Sequence, residues 1–123
     1  MANAEKLNKT YQFIVEHPQQ WEQDSYGYVD EGITYGCFAF WAVELDPGFT
    51  IVFHDYYNHP NDYEGYATLN GSSDKIHYTA QSLLELNEDD AERLFAWTNN
   101  LDDLSRIIHE LTSVNVAGNT VNA

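Results

Sequence analysis

The sequence predicts a mainly α fold of the α+β class, four to five short helices with a small β-ribbon or irregular central excursion. Three observations carry that prediction. Apolar residues recur at helical spacing near the N-terminus and again through the last third of the chain. Between them lie short aromatic and β-branched runs broken by glycine, asparagine and aspartate, the pattern of short strands and turns. At 43% hydrophobic and 15% aromatic residues, the chain is also too apolar to stay unfolded despite a formal net charge of -15. Its 123 residues match the commonest domain size, so one globular domain is expected over 1–113, with a flexible tail at 114–123.

Each element has a local reason. Leu7, Tyr11 and Ile14 fall at i, i+4 and i+7, with Ala4 a turn earlier, and Pro18 stops this first helix just after His17. Gln19 to Gln23 makes a polar connection in which Trp21 plugs the end of the core. From Ser25 to Gly36, Asp30-Glu31-Gly32 lies between two tyrosine-rich runs, which fits a hairpin turn or an irregular loop. Phe38, Trp41, Ala42 and Leu45 follow helical spacing up to Asp46-Pro47-Gly48 and predict a buried central helix, although FAFWAV also has strand propensity. Phe49 to Phe53 reads as a strand. His54 to Asp74 is long for a structureless loop in a small domain, so it is a functional excursion or a short β-ribbon. A helix is expected over Ile76 to Leu86. Asn87 caps the next helix, which has Glu88, Asp89 and Asp90 at its positive end and buries Ala91, Leu94 and Phe95. Asn100 caps the last, striped by Leu104, Ile107, Ile108 and Leu111.

Charge is distributed unevenly. From Thr10 to Asp74, 65 residues contain no lysine or arginine, yet hold eleven carboxylates and fifteen of the eighteen aromatic residues. Carboxylates without local cations must stay solvated, cap helices, bind a cation or face a basic partner. A chain this acidic repels phosphate backbones and anionic membranes, and its self-repulsion predicts stability that rises with salt. The start of the chain, MANAEKLNKT, has no apolar signal-peptide core, and no apolar run reaches membrane-spanning length. A cytoplasmic protein is expected, and Cys37 alone can form no internal disulfide.

Candidate chemistry is sparse. His54 and His59, with Asp55, Asp62 and Glu64, have the residue types of a metal site, but their spacing matches no helical ligand pair and Pro60 makes the segment a loop; solvated turn residues explain them as well. Cys37 could pair with His17, His54 or His77 as nucleophile and base. Its aromatic neighbours and lack of a cation favour a small buried hydrophobe instead. Ala80 to Leu94 has helix-turn-helix rhythm, but Glu88, Asp89 and Asp90 would meet phosphates. Asn99 to Asp103 is too short for a calcium loop. No cofactor motif is present.

HPQQWEQ at His17 to Gln23, GCFAFWA at Gly36 to Ala42 and LLELNEDDAERLF at Leu83 to Phe95 together resemble a group of small proteins of actinobacteria and their tailed phages. That group carries HPxxWxQ, Cys-x-Ala-Gly-Trp-Ala, LLGL and ERLF in this order and has no assigned activity. Phe40 and Glu85 stand where its pattern has glycine. The resemblance implies a shared fold and a phage or actinobacterial context, hence the host cytoplasm if phage-encoded, and no catalytic residue.

The expected function is non-enzymatic: a small acidic phage-type accessory protein that binds a protein with a basic surface, as monomer or homodimer. The expected anchors are Tyr56, Tyr57, Tyr63 and Tyr66 with Asp55, Asp62 and Glu64 beside them, since tyrosine buries large area at modest entropic cost. Packing of these tyrosines onto the body accounts for them equally. The alternatives are a DNA-mimic inhibitor of a nucleic-acid-binding enzyme and a metal-dependent enzyme using His54 and His59.

Overall fold

The computed structural model describes residues 2–55 and 65–120, with backbone alone at 54, 55, 65, 66 and 113–120. Among these residues five α-helices and four short strands make a mainly helical α+β fold. Helix α1 (Ala4–Glu16) starts at Asn3, whose side chain accepts from the Lys6 amide at 3.1 Å. Leu7, Thr10 and Ile14 form its buried face, and the Thr10 hydroxyl is satisfied by the Lys6 carbonyl at 2.8 Å. A single 3-10 turn at Pro18–Gln20 redirects the chain.

Strands β1 (Tyr28–Asp30) and β2 (Ile33–Tyr35) form the hairpin rather than an irregular loop. Glu31 and Gly32, with φ of 50° and 79°, supply the two left-handed residues that a two-residue turn between twisted strands requires. Strand β3 (Val52–Asp55) begins three residues later than Phe49, where the sequence starts it, and pairs with β4 (Gly65–Thr68). The β-ribbon reading of His54 to Asp74 therefore holds at both flanks. Strand β4 also pairs with β1, closing one antiparallel sheet in the order β2-β1-β4-β3.

Helix α2 (Phe38–Glu44) resolves the FAFWAV ambiguity in favour of helix. Its residues Phe38 to Val43 are all buried, so it has no face for water and packs against three neighbours: α1, α3 (Asp74–Leu83) and α4 (Glu88–Phe95). The Phe40 ring lies between two stretches of backbone. A methyl group on Gly27 or on Gly36 would fall 2.3 Å from one of its ring carbons, so both positions must lack a side chain. The Trp41 indole donates to the Gln20 carbonyl at 3.0 Å and meets the Phe13 ring at a tilt of 40°, 4.4 Å between centroids.

Helix α5 (Leu101–Thr120) buries the expected stripe of Leu104, Ile107, Ile108 and Leu111 against α1 and α4. Asn100 and Asp103 cap its start reciprocally, each side chain accepting from the other's amide at 2.8 and 3.0 Å. Its backbone runs on through Thr120. No described helix is long and apolar enough to cross a membrane.

The end of α3 is strained. The Leu86 amide donates to the Gln81 carbonyl at 3.0 Å and the Glu85 amide to Ser82 at 3.1 Å, a Schellman motif whose left-handed residue is Glu85, with φ 56°. A side chain in that region costs about 1–2 kcal/mol, whereas glycine loses about 0.4–1 kcal/mol through its freer unfolded chain. The Glu85 carboxylate recovers part of the difference by accepting from Asn3 on the surface at 3.1 Å. Glu85→Gly is expected to stabilise the fold by about 0.5–1 kcal/mol, seen as a higher urea midpoint at unchanged slope. A lower midpoint would mean that the Asn3 contact outweighs the backbone strain.

Candidate functional site

A cleft of about 1070 Å³ lies between α3, α4 and the segment 23–26. Its geometry starts from Gln23, a buried amide with all four hydrogen-bonding positions used. The side-chain oxygen accepts from the Trp21 indole at 3.0 Å and from the Phe38 amide at 3.1 Å. The side-chain nitrogen donates to the carbonyls of Leu94 and Ala96 at 3.0 and 3.1 Å. One side chain therefore joins the start of α2 to the end of α4, and so fixes the spacing of the cleft's back wall.

His77 of α3 lies at the floor. Its ring meets Tyr26 edge-on at 4.6 Å between centroids and Phe95 at 5.1 Å, and Nε2 is 3.6 Å from the Cys37 sulfur. Burial lowers its affinity for a proton, and only Asp74 on its own helix opposes that shift. Tyr26 holds its proton more tightly than usual, through burial and then through the negative charge of Asp74. The Cys37 sulfur accepts from the Phe40 amide at 3.5 Å and so caps α2. The thiol is enclosed, and burial pushes it up to about 11. Of the three histidines considered for Cys37, the fold selects His77, but a neutral buried thiol against a neutral imidazole is a structural contact and not an activated nucleophile.

The outer walls are aromatic and acidic. Tyr78 and Trp97 line the cleft at 70% exposure each, and Tyr26 at 42%. Asp24, Asp74, Glu88 and Glu92 form the rim, and no lysine or arginine lines it. Among the described residues none of these four pairs with a cation; Lys6 is on Asp46, while Arg93 and Arg106 serve Asp90, Asp103 and Glu110.

The sequence-predicted anchors Tyr56, Tyr57, Asp62, Tyr63 and Glu64, like His59, lie outside the described residues. Asp55 ends β3 and Tyr66 lies in β4 opposite His54, with backbone alone described. The described residues hold no group of three metal-ligating side chains. Sequence reasoning missed Tyr78, Glu92 and Trp97. The usable signal was negative: Trp97 fits no apolar stripe and stands in the polar turn WTNN, where a large aromatic has no packing reason. Compared with protein families, curated proteins and solved structures, the chain matches none.

The lowered proton affinity of His77 has a signed consequence. The fold prefers the neutral ring, so its contribution is fully present above the ordinary value of 6.5 and is lost as pH falls below that value. Relative to His77→Gln, the wild type should lose stability as pH falls below about 6.5, measured by urea unfolding of both proteins. A gap that widens in favour of the wild type in acid would mean that His77 is held as a cation by Asp74.

Proposed function

We propose that this chain is a small acidic accessory protein, of the phage type its motifs resemble, that works by binding another protein with a basic surface. The observation that carries the reading is the cleft itself: exposed aromatic walls, a carboxylate rim and no cation of its own. An apolar body with a charged rim is how protein interfaces are built, with aromatic anchors supplying affinity and rim charge supplying encounter rate. The acidic, tyrosine-rich segment from His54 to Asp74 belongs to the same proposal, since it ends at Asp74 on the cleft rim. Carboxylates gathered round aromatic walls support a protein interface over DNA mimicry, which would call for an extended row of acids without such walls.

The test is retention of proteins from a bacterial lysate by the immobilised chain at low and moderate salt, identified by mass spectrometry, followed by kinetics on the purified partner. A basic protein should be retained and released by salt. Glu88→Gln with Glu92→Gln should slow its association, and Trp97→Ala should speed its dissociation; Glu92→Gln and Trp97→Ala alone should leave the melting temperature unchanged or raised, while Glu88→Gln gives up the small stabilisation of the start of α4. Retention indifferent to salt and to all three substitutions would overturn the reading. Competition by duplex DNA would replace it with mimicry.

A further inference from the structure

The cleft between α3 and α4 is open, and its walls say what should fill it. Trp97 is 70% exposed yet stands on a pinned turn. The carbonyl of Ala96 before it accepts from Gln23 and from the Asn99 amide, each at 3.1 Å. The Asn99 side chain ties the same turn to the carbonyls of Arg93 and Leu94 at 2.7 and 3.0 Å. An indole held in water on a fixed turn loses little freedom when a ligand covers it. Tyr78 faces the same space, equally exposed.

The charge beside these rings is specific in kind. Glu88 has a structural reason to be acidic, since it opens α4 and meets the positive end of that helix. Glu92, one turn on, has none. Like charges at i, i+4 repel, and no described lysine or arginine offsets the pair. The floor adds no opposing charge, because burial keeps His77 neutral and its Nε2 faces the Cys37 thiol. Four carboxylates and two open aromatic faces are thus complementary to a cation that this chain does not supply.

We infer that the cleft seats an arginine side chain carried on an extended segment of a partner protein, its guanidinium held between the aromatic wall and the Glu88–Glu92 pair. This rests on the proposed basic-protein binding and adds its chemical class. A guanidinium is planar, stacks on aromatic faces and bonds carboxylates through two parallel N–H groups, whereas an ammonium is a strongly hydrated point charge. A space of about 1070 Å³ exceeds one side chain and leaves room for the backbone on either side of it.

The test uses blocked pentaglycine peptides with a central arginine, lysine or citrulline, titrated into the full chain up to millimolar concentration and followed by amide NMR shifts and tryptophan fluorescence. The arginine peptide should shift the amides of Glu92, Trp97 and Tyr78. It should bind several-fold more tightly than the lysine peptide and about tenfold more tightly than the uncharged citrulline one. Glu92→Gln should weaken it about tenfold, while Trp97→Phe retains most of the affinity that Trp97→Ala loses. These positions are exposed, so unchanged melting curves confirm that the variants fold. Equal binding of arginine and lysine in the cleft overturns the arginine assignment and leaves the basic-partner reading standing. No binding of the arginine peptide, or shifts outside the cleft, overturns the assignment too. The basic-partner reading falls with it only if lysate retention is also indifferent to salt and to Glu88→Gln, Glu92→Gln and Trp97→Ala.

Discussion

The start of α2 is buried, and most of the surrounding structure answers to that fact. A helix leaves its first amides without partners inside the helix, and where no water can reach, each unsatisfied one costs about 1–3 kcal/mol. Here the Phe38 amide donates to the Gln23 side chain, the Phe40 amide to the Cys37 sulfur, and the Cys37 amide to the Ser25 carbonyl. The segment from Trp21 to Ser25 therefore cannot lie anywhere else. Gly27 and Gly36 then bring backbone down onto Phe40, and the hairpin between them carries β1 to β4.

The same constraint shapes the cleft. Having met α2 with its oxygen, Gln23 turns its nitrogen to α4 and to the turn that presents Trp97. A fully satisfied buried amide fixes one arrangement, because losing any partner leaves a costly unpaired group. The cleft wall is thus rigid for the reason that the core is rigid. The surface ion pairs around α4 and α5 contribute little by comparison, being exposed. Acidity is instead absorbed where it is useful, at the start of α4, in the reciprocal cap of α5, and on Asp46, whose proton affinity is lowered by the Gly48 amide and by Lys6.

Local signals were legible in the sequence and long-range ones were not. The 3.6-residue periods of α1, α4 and α5, the caps Asn87 and Asn100, and the stop at Pro18 are written within a few residues of where they act. The central helix was legible because Phe38, Trp41 and Ala42 keep helical spacing in a run of strand formers. The pairing of β4 with both β1 and β3 depends on residues far apart and leaves no local trace. Gln23 reads as part of a polar connection, since nothing near it announces that its partners lie 71 and 73 residues away. The expected anchors were drawn from composition, which finds the acidic, aromatic region. The cleft instead assembles Tyr26, Tyr78, Glu92 and Trp97 from separate segments, and only the fold brings those together.

The measurement that tests this account most directly is native-state hydrogen exchange at the Phe38 amide, compared with the Trp41 amide inside the same helix. If Gln23 closes the start of α2, both amides should exchange only when the whole molecule unfolds, with equal protection free energies that match the stability from urea unfolding. In Gln23→Ala, Phe38 should lose protection ahead of Trp41. Phe38 exchanging far faster than Trp41 in the wild type would show that the start of α2 opens by itself, and that the amide does not hold the fold together.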